Sequence, residues 1–184
     1  MTDPLSESPG EPVRAPVSGP ADGPLAGSYL DAMALLPAGV TVVTVADGRD
    51  DVGATVSSFG SVSAEPPVVS VGVDAHGYMA EVIEEVGAFA VNVLGHDQRA
   101  VAGRFSAEGR PSARLLVTGQ AHHRGERTRA IVLDGSLAAL ECSVRQSVPV
   151  GDHVVFFADV VGLPEVRGGG PALVRWSGRY RAVE

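Results

Sequence analysis

The stretch that decides the fold is Gly53-Ala54-Thr55-Val56-Ser57-Ser58-Phe59-Gly60-Ser61-Val62-Ser63-Ala64-Glu65-Pro66-Pro67. It begins as an alternating strand, with Ala54 and Val56 on one side and Thr55 and Ser57 on the other. Hydroxyls and a glycine then replace the alternation, and the proline pair precedes a new apolar strand. Hydroxyls and unpaired backbone N–H groups along one edge suit a ligand with a flat polar head and an oxyanion tail. An ordinary Ser-rich turn explains the same residues without a ligand.

The composition limits the class of protein. A chain of 184 residues is long enough for one domain with a proper core. A net charge of −8 argues against a nucleic-acid partner, because no basic surplus offsets phosphate repulsion. Every basic residue is an arginine. The absence of lysine excludes Schiff-base chemistry, and the arginines suit bidentate contacts to anions.

Cellular location follows from cysteine usage and hydropathy. Cys142 is the only cysteine, so no internal disulfide can form and a cytoplasmic protein is expected. Its strand-like surroundings indicate a small buried hydrophobe rather than a catalytic thiol. No apolar run approaches the length of a membrane helix, and the acidic, Pro-rich N-terminus does not have the pattern of a signal peptide.

Two segments are predicted along the chain. Residues 1–24 are dense in Pro, Gly, Ser and acidic residues and are expected to form a disordered tail. Residues 25–184 are expected to form the folded domain. Its first element is a short helix over Tyr29–Leu36, which Ser28 precedes and Pro37 ends.

Most of the remaining segments are β-strands with turn signals between them. Strands are predicted over 39–46, 52–57, 67–73, 88–94, 136–148, 153–163 and 175–181, and the nearly apolar strand 67–73 is expected to be central. Two short helices are predicted over 79–86 and 97–105, whereas residues 106–128 show no clear period. Hairpins joined by short turns favour an antiparallel barrel over a parallel α/β sheet.

Several other kinds of site are not supported. No Gly-x-Gly-x-x-Gly turn follows a strand, and no Gly-x-Ser-x-Gly elbow is present. The acidic turn Asp47–Asp51 is typical of a solvated loop, and His122-His123 has no third ligand at a useful spacing. No metal site is therefore expected.

The ordered motifs together resemble the short-chain flavin reductases. The matching runs are Asp31-Ala32-Met33 to Gly39–Thr44, Gly53–Phe59, Ser61-Val62-Ser63 with Pro66-Pro67, Val91–Leu94, Arg104-Phe105 and Gly151-Asp152-His153. They cover residues 28–184 in order. These reductases are components of two-component flavin-dependent monooxygenases.

The resemblance implies a mainly β fold, the antiparallel, Greek-key FMN-binding split barrel, and a homodimer with flavin sites near the subunit interface. It implies oxidation of NADH or NADPH and reduction of FMN or FAD, which a partner monooxygenase then receives. No membrane or nucleic-acid partner is expected. The hydride passes directly between the two rings, so no acid, base or nucleophile is assigned.

The resemblance also implies site residues. Thr55, Val56, Ser57 and Ser58 would line the isoalloxazine edge, and Ser61 and Ser63 would face the ribityl chain and phosphate. Asp152 and His153 would lie on the nicotinamide side with His153 orienting that ring, and Tyr180 is a weaker candidate there. Asn92 and Phe105 are further candidates for the flavin, although Asn92 equally suits a bond to neighbouring backbone.

One departure concerns the phosphate. The family often carries serines after the central strand, where this chain has His76-Gly77-Tyr78. The phosphate contact would then fall to His76 or to an arginine such as Arg104. Two alternatives stay open: a related split-barrel oxidase with tightly bound FMN, and a flavin-binding module without reductase activity.

Overall fold

The structure is a computed structural model that describes residues 24–48 and 50–184. Helix α1 spans Pro24–Ala34. The strands all belong to a unit that runs from Ala34 to Glu184. None of the helices in the described ranges is long and apolar enough to cross a membrane. Residues 1–23 lie outside those ranges, so the predicted tail over residues 1–24 stays a prediction.

The unit of residues 34–184 consists mainly of strands, which are connected by short helices. The strands are β1 (Ala38–Gly39), β2 (Thr41–Val45), β3 (Val52–Val56), β4 (Phe59–Ala64), β5 (Pro67–Asp74), β6 (Ala88–Val93), β7 (His122–Arg124), β8 (Ile131–Leu133), β9 (Ala138–Val150), β10 (His153–Gly162), β11 (Ala172–Trp176) and β12 (Arg179–Val183). The helices are α2 (Tyr78–Val86), a 3₁₀ turn (His96–Gln98), α3 (Arg99–Phe105) and α4 (Ala113–Leu116).

The main sheet closes on itself at Ser57 and Ser58. Its seven strands lie in the order β3-β2-β6-β9-β10-β5-β4, and every pair is antiparallel. Strands β3 and β4 form its opposite edges, yet only Ser57 and Ser58 separate them in the chain. The two edges must therefore approach each other, which makes the sheet a barrel that is split at this point. The Gly72 N–H donates to the Ser58 carbonyl at 3.0 Å, and this bond extends the β4–β5 ladder into the connection between the two edges.

The hairpins form where the sequence supplies suitable turns. Strands β2 and β3 pair with Thr41 opposite Val56, as the β-branched residues of β2 predict. The long strands β9 and β10 meet at Gly151, whose φ of +60° suits a residue without a Cβ. A register shift between Phe157 and Ala158 bends this pair.

Helix α2 covers one end of the barrel because one of its faces is apolar. Met79, Ala80, Val82 and Ile83 are buried. Gly87 ends the helix in the left-handed conformation and donates its N–H to the Ile83 carbonyl.

The two larger of the three apolar cores among the described residues hold the strands together. The first lies between the main sheet and α2 and includes Val71, Ile83, Phe89 and Phe156, all with no exposed surface. The second includes Leu94, Phe105, Ile131 and Leu173, which anchor α3 and the small sheet β1-β11-β12. The two cores fix β3 and α3 against each other at the barrel split.

Four local predictions need correction. The single last strand predicted over 175–181 is a hairpin, β11–β12, with positive φ at Ser177 and Gly178. Residues 106–128 contain α4 and β7, elements too short to show a period. Strand β5 lies next to the edge strand β4 rather than at the centre. Helix α1 begins and ends earlier than predicted, since Leu35 and Leu36 lie beyond it.

Candidate functional site

A cavity lies at the split of the barrel, between β3 and β5. Its volume is about 370 Å³. We call it the split cavity. Its lining comprises Ala54, Thr55, Val56, Ser57, Ser58, Gly72, Val73, Asp74, Gly77, Met79, Phe105, Ser106, Arg110 and His153.

The residues Thr55–Ser58 form one wall of the split cavity. Because β3 is an edge strand, its outward backbone groups have no strand partner. The Thr55 hydroxyl donates to the Ala102 carbonyl at 2.7 Å, and the Ser58 hydroxyl donates to the Gly72 carbonyl at 2.6 Å. Ser57 is exposed, and its hydroxyl has no partner among the described residues. Ser57 therefore offers the side-chain hydroxyl donor of this wall.

The split cavity also has an apolar, tightly packed wall, which adjoins β3. Phe105, at the end of α3, has no exposed surface and lies directly over β3. A Cβ placed on Gly53 would meet the Phe105 Cε1 atom at 2.6 Å. Gly53 therefore lets the ring come close to the strand, and Val56 and Met79 complete this apolar wall.

Backbone donors and the guanidinium of Arg110 lie at one end of the split cavity, which we call the Arg110 end, together with the Asp74 carboxylate, whose Oδ1 accepts from the His76 N–H. Helix α2 begins there, and its N-cap residue Gly77 has no capping side chain. The first N–H groups of a helix and its dipole favour an anion. Arg110 adds a guanidinium, whose Nε donates to the Gly53 carbonyl at 2.6 Å.

His153 lies on the rim, and neighbouring contacts fix its position. The residue pairs with Asp74 across β10 and β5, and the Ala75 N–H donates to the Asp152 carbonyl at 2.9 Å. The His153 Nδ1 atom lies 2.8 Å from the Asp152 Oδ1 atom. The hydrogen bond from His153 is the main reason that the pKa of Asp152 lies below its ordinary value. A negative Asp152 favours a proton on Nδ1 and so orients the imidazole ring.

The structure brings together six of the residues singled out in the sequence. Thr55, Val56, Ser57, Ser58, Phe105 and His153 all line the split cavity. Asp152 is an exposed neighbour that contacts His153. His76 is exposed at the start of α2, where its N–H donates to Asp74, and it does not line the cavity.

Other residues in that set lie elsewhere within this chain. Asn92 has no exposed surface: its amide N–H groups donate to the Val42 and Ile131 carbonyls, and its Oδ1 accepts from the Leu133 N–H at 2.7 Å. These three bonds give Asn92 a structural role in place of the suggested flavin contact. Tyr180 packs against the second core, with the Arg99 guanidinium 6.0 Å from its ring centre.

Ser61 and Ser63 line a separate surface, which we call the apolar groove. The groove has a volume of about 640 Å³, and its other lining residues include Phe59, Val160, Val161 and Leu163. Strand β4 turns these two serines away from the split cavity. A register shift between Ser61 and Ser63 adds to this change of direction.

Sequence reasoning missed several residues that the fold brings to the split cavity. Arg110 and Ser106 come from the segment without a period, and Met79 follows the loop after β5. The Gly109-Arg110-Pro111 turn after α3 was the available signal for Arg110. Arg104, suggested for the phosphate, is not part of the lining.

Within the described ranges, no group of three or more His, Cys, Asp or Glu side chains is placed to hold a metal ion. The polar wall, the apolar wall and the Arg110 guanidinium of the split cavity instead suit an elongated organic anion with a flat ring.

Comparison with known proteins identifies the family. The family model for the flavin reductase like domain matches residues 33–184. The chain belongs to the flavin reductase family. The match covers every strand of the barrel, and it confirms the family suggested by the sequence motifs.

Individual relatives agree with this assignment. The NADH-dependent FMN reductase AsuE2 of Streptomyces nodosus subsp. asukaensis is 35% identical over 159 residues, which are 83% of this chain and 82% of that protein. The reductase component of 4-hydroxyphenylacetate 3-monooxygenase from Thermus thermophilus is 36% identical over 159 residues, which are 85% of this chain and 95% of that protein.

A solved structure supports the fold. BorF, the flavin reductase component of a bacterial two-component tryptophan halogenase, matches with a TM-score of 0.79 and 34% identity over 86% of this chain and 98% of that one. These findings confirm the mainly β split barrel and the flavin oxidoreductase activity predicted from the sequence. They also confirm flavin and a reduced nicotinamide as its cofactors.

Proposed function

We propose that this chain transfers a hydride from NADH to FMN or FAD and that a separate monooxygenase receives the reduced flavin. The observation that carries the proposal is the split cavity, where an edge strand, an apolar wall and His153 meet. NADH is preferred over NADPH in this proposal because AsuE2 is named as NADH-dependent. The monooxygenase partner is proposed because the Thermus thermophilus relative is a reductase component of such an enzyme.

The residues of the split cavity have the chemistry that a flavin requires. A bound flavin supplies the ring that accepts the hydride. The unpaired backbone groups of Thr55–Ser58 and the Ser57 hydroxyl bind the polar edge of the ring, and Val56 and Phe105 exclude water from its face. The N-terminus of α2 and Arg110 stabilise negative charge.

His153 is proposed to position the nicotinamide. It lines the rim of the cavity, and its bond to Asp152 restricts the imidazole ring. Direct transfer between two rings depends on their approach and orientation, so a positioning residue is sufficient for catalysis here. Asp152 acts through His153 and does not itself line the cavity.

The functional form is proposed to be a homodimer, with the apolar groove at the interface between two copies of this chain. Val161 and Leu163 in the groove are 41% and 75% exposed, an unusual amount of apolar surface for a lone subunit. Ser61 and Ser63 lie in the same groove and not in the split cavity, so this proposal assigns the flavin phosphate to Arg110 in place of these two serines. The Leu163→Asp variant should reduce the mass measured by light scattering, whereas Leu115→Asp, at a leucine that is 65% exposed outside the groove, should not.

A cytoplasmic location is proposed because the reaction consumes NADH and because the only cysteine, Cys142, is a buried free thiol. The division of the chain into a tail over residues 1–24 and a flavin reductase domain over residues 25–184 is likewise proposed.

The first test of the function is NADH oxidation, followed at the nicotinamide absorbance with and without added FMN, FAD or riboflavin. Oxidation that needs added flavin would establish an exchangeable flavin. A flavin that survives gel filtration would instead indicate a protein with tightly bound FMN. Flavin binding without any oxidation would indicate a binding module and contradict the proposal.

The second test concerns His153. The His153→Ala variant should raise the KM for NADH roughly tenfold, the effect of losing one polar contact, and leave the Kd for FMN unchanged. His123→Ala is the matched control, because His123 forms a similar pair with Asp134 on the β7–β8 hairpin. A loss of FMN affinity as large as the loss for NADH would contradict the positioning role.

A further inference from the structure

A second cavity continues from the Arg110 end of the split cavity. Its volume is about 390 Å³, and it shares Gly77, Met79 and Arg110 with the split cavity. Its own lining includes Asp50, Val52, Tyr78 and Ser112. We call it the Tyr78 cavity. The two cavities are similar in volume and are in contact, so together they fit a ligand of two linked halves.

Arg110 stands where the two cavities meet. Its Nε donates to the Gly53 carbonyl at 2.6 Å, and its Nη1 contacts the Ala107 carbonyl at 3.4 Å. These bonds hold the guanidinium in place and leave N–H donors of Nη1 and Nη2 available, since a guanidinium carries five. No carboxylate pairs with Arg110 among the described residues. A fixed guanidinium with free donors suits a phosphate or diphosphate group.

Tyr78 lines the Tyr78 cavity but not the split cavity. Its side chain is 57% exposed, and its hydroxyl donates to the Asp47 carboxylate at 3.3 Å, which restrains the ring. An accessible aromatic face is a stacking surface for a nucleotide base.

The carboxylates beside this cavity are compatible with a nucleotide. Asp51 is buried and forms ion pairs with Arg114 and Arg124, so its charge is compensated. Asp50 is exposed on the rim, where a carboxylate can accept hydrogen bonds from ribose hydroxyls. The lining therefore offers a group for each part of a nucleotide: phosphate, ribose and base.

We propose that the Tyr78 cavity binds the adenylate end of a dinucleotide, with the diphosphate at Arg110 and the adenine on Tyr78. The inference rests on the proposed function, because the other end of the dinucleotide occupies the split cavity. FAD and NADH both carry an adenylate, and the experiment separates these two sources.

The test uses the Tyr78→Ala variant, with Tyr78→Phe as the matched control that keeps the ring. Riboflavin, FMN and FAD are titrated in the absence of nicotinamide to measure Kd. The KM for NADH and for reduced nicotinamide mononucleotide, which lacks the adenylate, is then measured at saturating FMN. Unfolding temperatures are recorded for each variant to exclude a general loss of structure.

If FAD supplies the adenylate, Tyr78→Ala should raise the Kd for FAD roughly five- to fiftyfold, as expected for the loss of one stacked base, and leave the Kd for FMN within twofold. If NADH supplies it, the KM for NADH should rise by a similar factor and the KM for the mononucleotide should not. Tyr78→Phe should behave as the unmodified chain in both arms.

Arg110→Ala should weaken FMN and FAD relative to riboflavin, which has no phosphate. The inference is overturned if Tyr78→Ala leaves both the FAD Kd and the NADH KM within twofold of the unmodified chain. That result would leave the proposed function intact as long as FMN-dependent NADH oxidation persists. Absence of that oxidation in the unmodified chain would instead contradict the proposed function.

Discussion

Replacing Gly53 with alanine should destabilise the barrel and distort the apolar wall of the split cavity. The added Cβ would lie 2.6 Å from the Phe105 Cε1 atom and 3.0 Å from Cδ1, closer than non-bonded carbons approach. It would also lie 3.3 Å from the Val43 carbonyl oxygen, a backbone atom of the paired strand β2. Since β2 is held by ladders on both sides, the ring must move rather than the strand.

The magnitude follows from the packing around Phe105. The ring has no exposed surface and belongs to the second core, so no empty space is available for it. Overpacking of this kind costs roughly 1–3 kcal/mol. For a domain of this size each kcal/mol lowers the Tm by roughly 2–4 °C, which gives a decrease of roughly 2–12 °C. Because Phe105 also lines the split cavity, the flavin affinity should fall with the stability.

The assay is thermal unfolding followed by circular dichroism, together with FMN titration. Gly60→Ala is the matched control, because Gly60 lies in β4, the next strand along the chain. The nearest atom to its new Cβ, the Ser70 Oγ, is 3.6 Å away. That variant should change the free energy of unfolding by less than about 1 kcal/mol. In a double-mutant cycle, Phe105→Leu should reduce the cost of Gly53→Ala. Equal Tm values for Gly53→Ala and Gly60→Ala, or no coupling to Phe105, would refute this reasoning.

Three further outcomes are expected. Asn92→Ala should lower the free energy of unfolding by at least about 2 kcal/mol in a denaturant titration, because it leaves buried backbone groups without partners. The Kd for FMN should stay unchanged. A large loss of FMN affinity at unchanged stability would instead indicate that Asn92 contacts the ligand. Burial alone would raise the pKa of Asp51, but the hydrogen bonds from Arg124 and Arg114 hold it below its ordinary value of 3.8. The ion pairs of Asp51 therefore stabilise the fold above that pH, and this stabilisation is lost as the pH falls through the folded-state pKa. The difference in the free energy of unfolding between the unmodified chain and Asp51→Asn should shrink in acid. A constant difference down to about pH 2 would contradict this. Burial raises the pKa of Cys142 to about 12, so a disulfide reagent at pH 8 should label the thiol only after denaturant is added. Rapid labelling of the native protein would contradict the position of Cys142 in the core.

Much of the barrel was predictable because its signals are local. The β-branched run of β2 predicts a strand, and the turn at Gly151 joins two runs long enough to form the β9–β10 hairpin. The apolar periodicity of α2, with Gly87 at its end, predicts that helix. The β11–β12 hairpin was missed although Ser177-Gly178 is a turn signal, because five-residue strands on each side resemble one longer run.

The site was only partly predictable because its members come from distant parts of the chain. Thr55–Ser58 were found because an edge strand that ends in hydroxyls is visible locally. Arg110 contacts Gly53 across 57 positions, and no local pattern reports that contact. Ser61 and Ser63 were grouped with Ser57 because they are close in sequence. The direction of a strand beyond its turn depends on tertiary pairing, and β4 carries these two serines into the apolar groove.

The same short stretch closes the barrel and forms the binding wall, and this gives its two serines different tasks. Ser58 bonds to Gly72 of β5 through both its backbone carbonyl and its hydroxyl, so its side-chain donor is used in extending the β4–β5 pairing. Ser57 keeps its hydroxyl exposed to the cavity. A ligand at Ser57 contacts β3 next to the closure point and, through His153 and Asp74, the side of β5 and β10. Binding therefore links β3 to β5 and β10, which are distant from it in the sheet order, and a ligand that binds only the folded chain adds its binding free energy to the stability of the barrel.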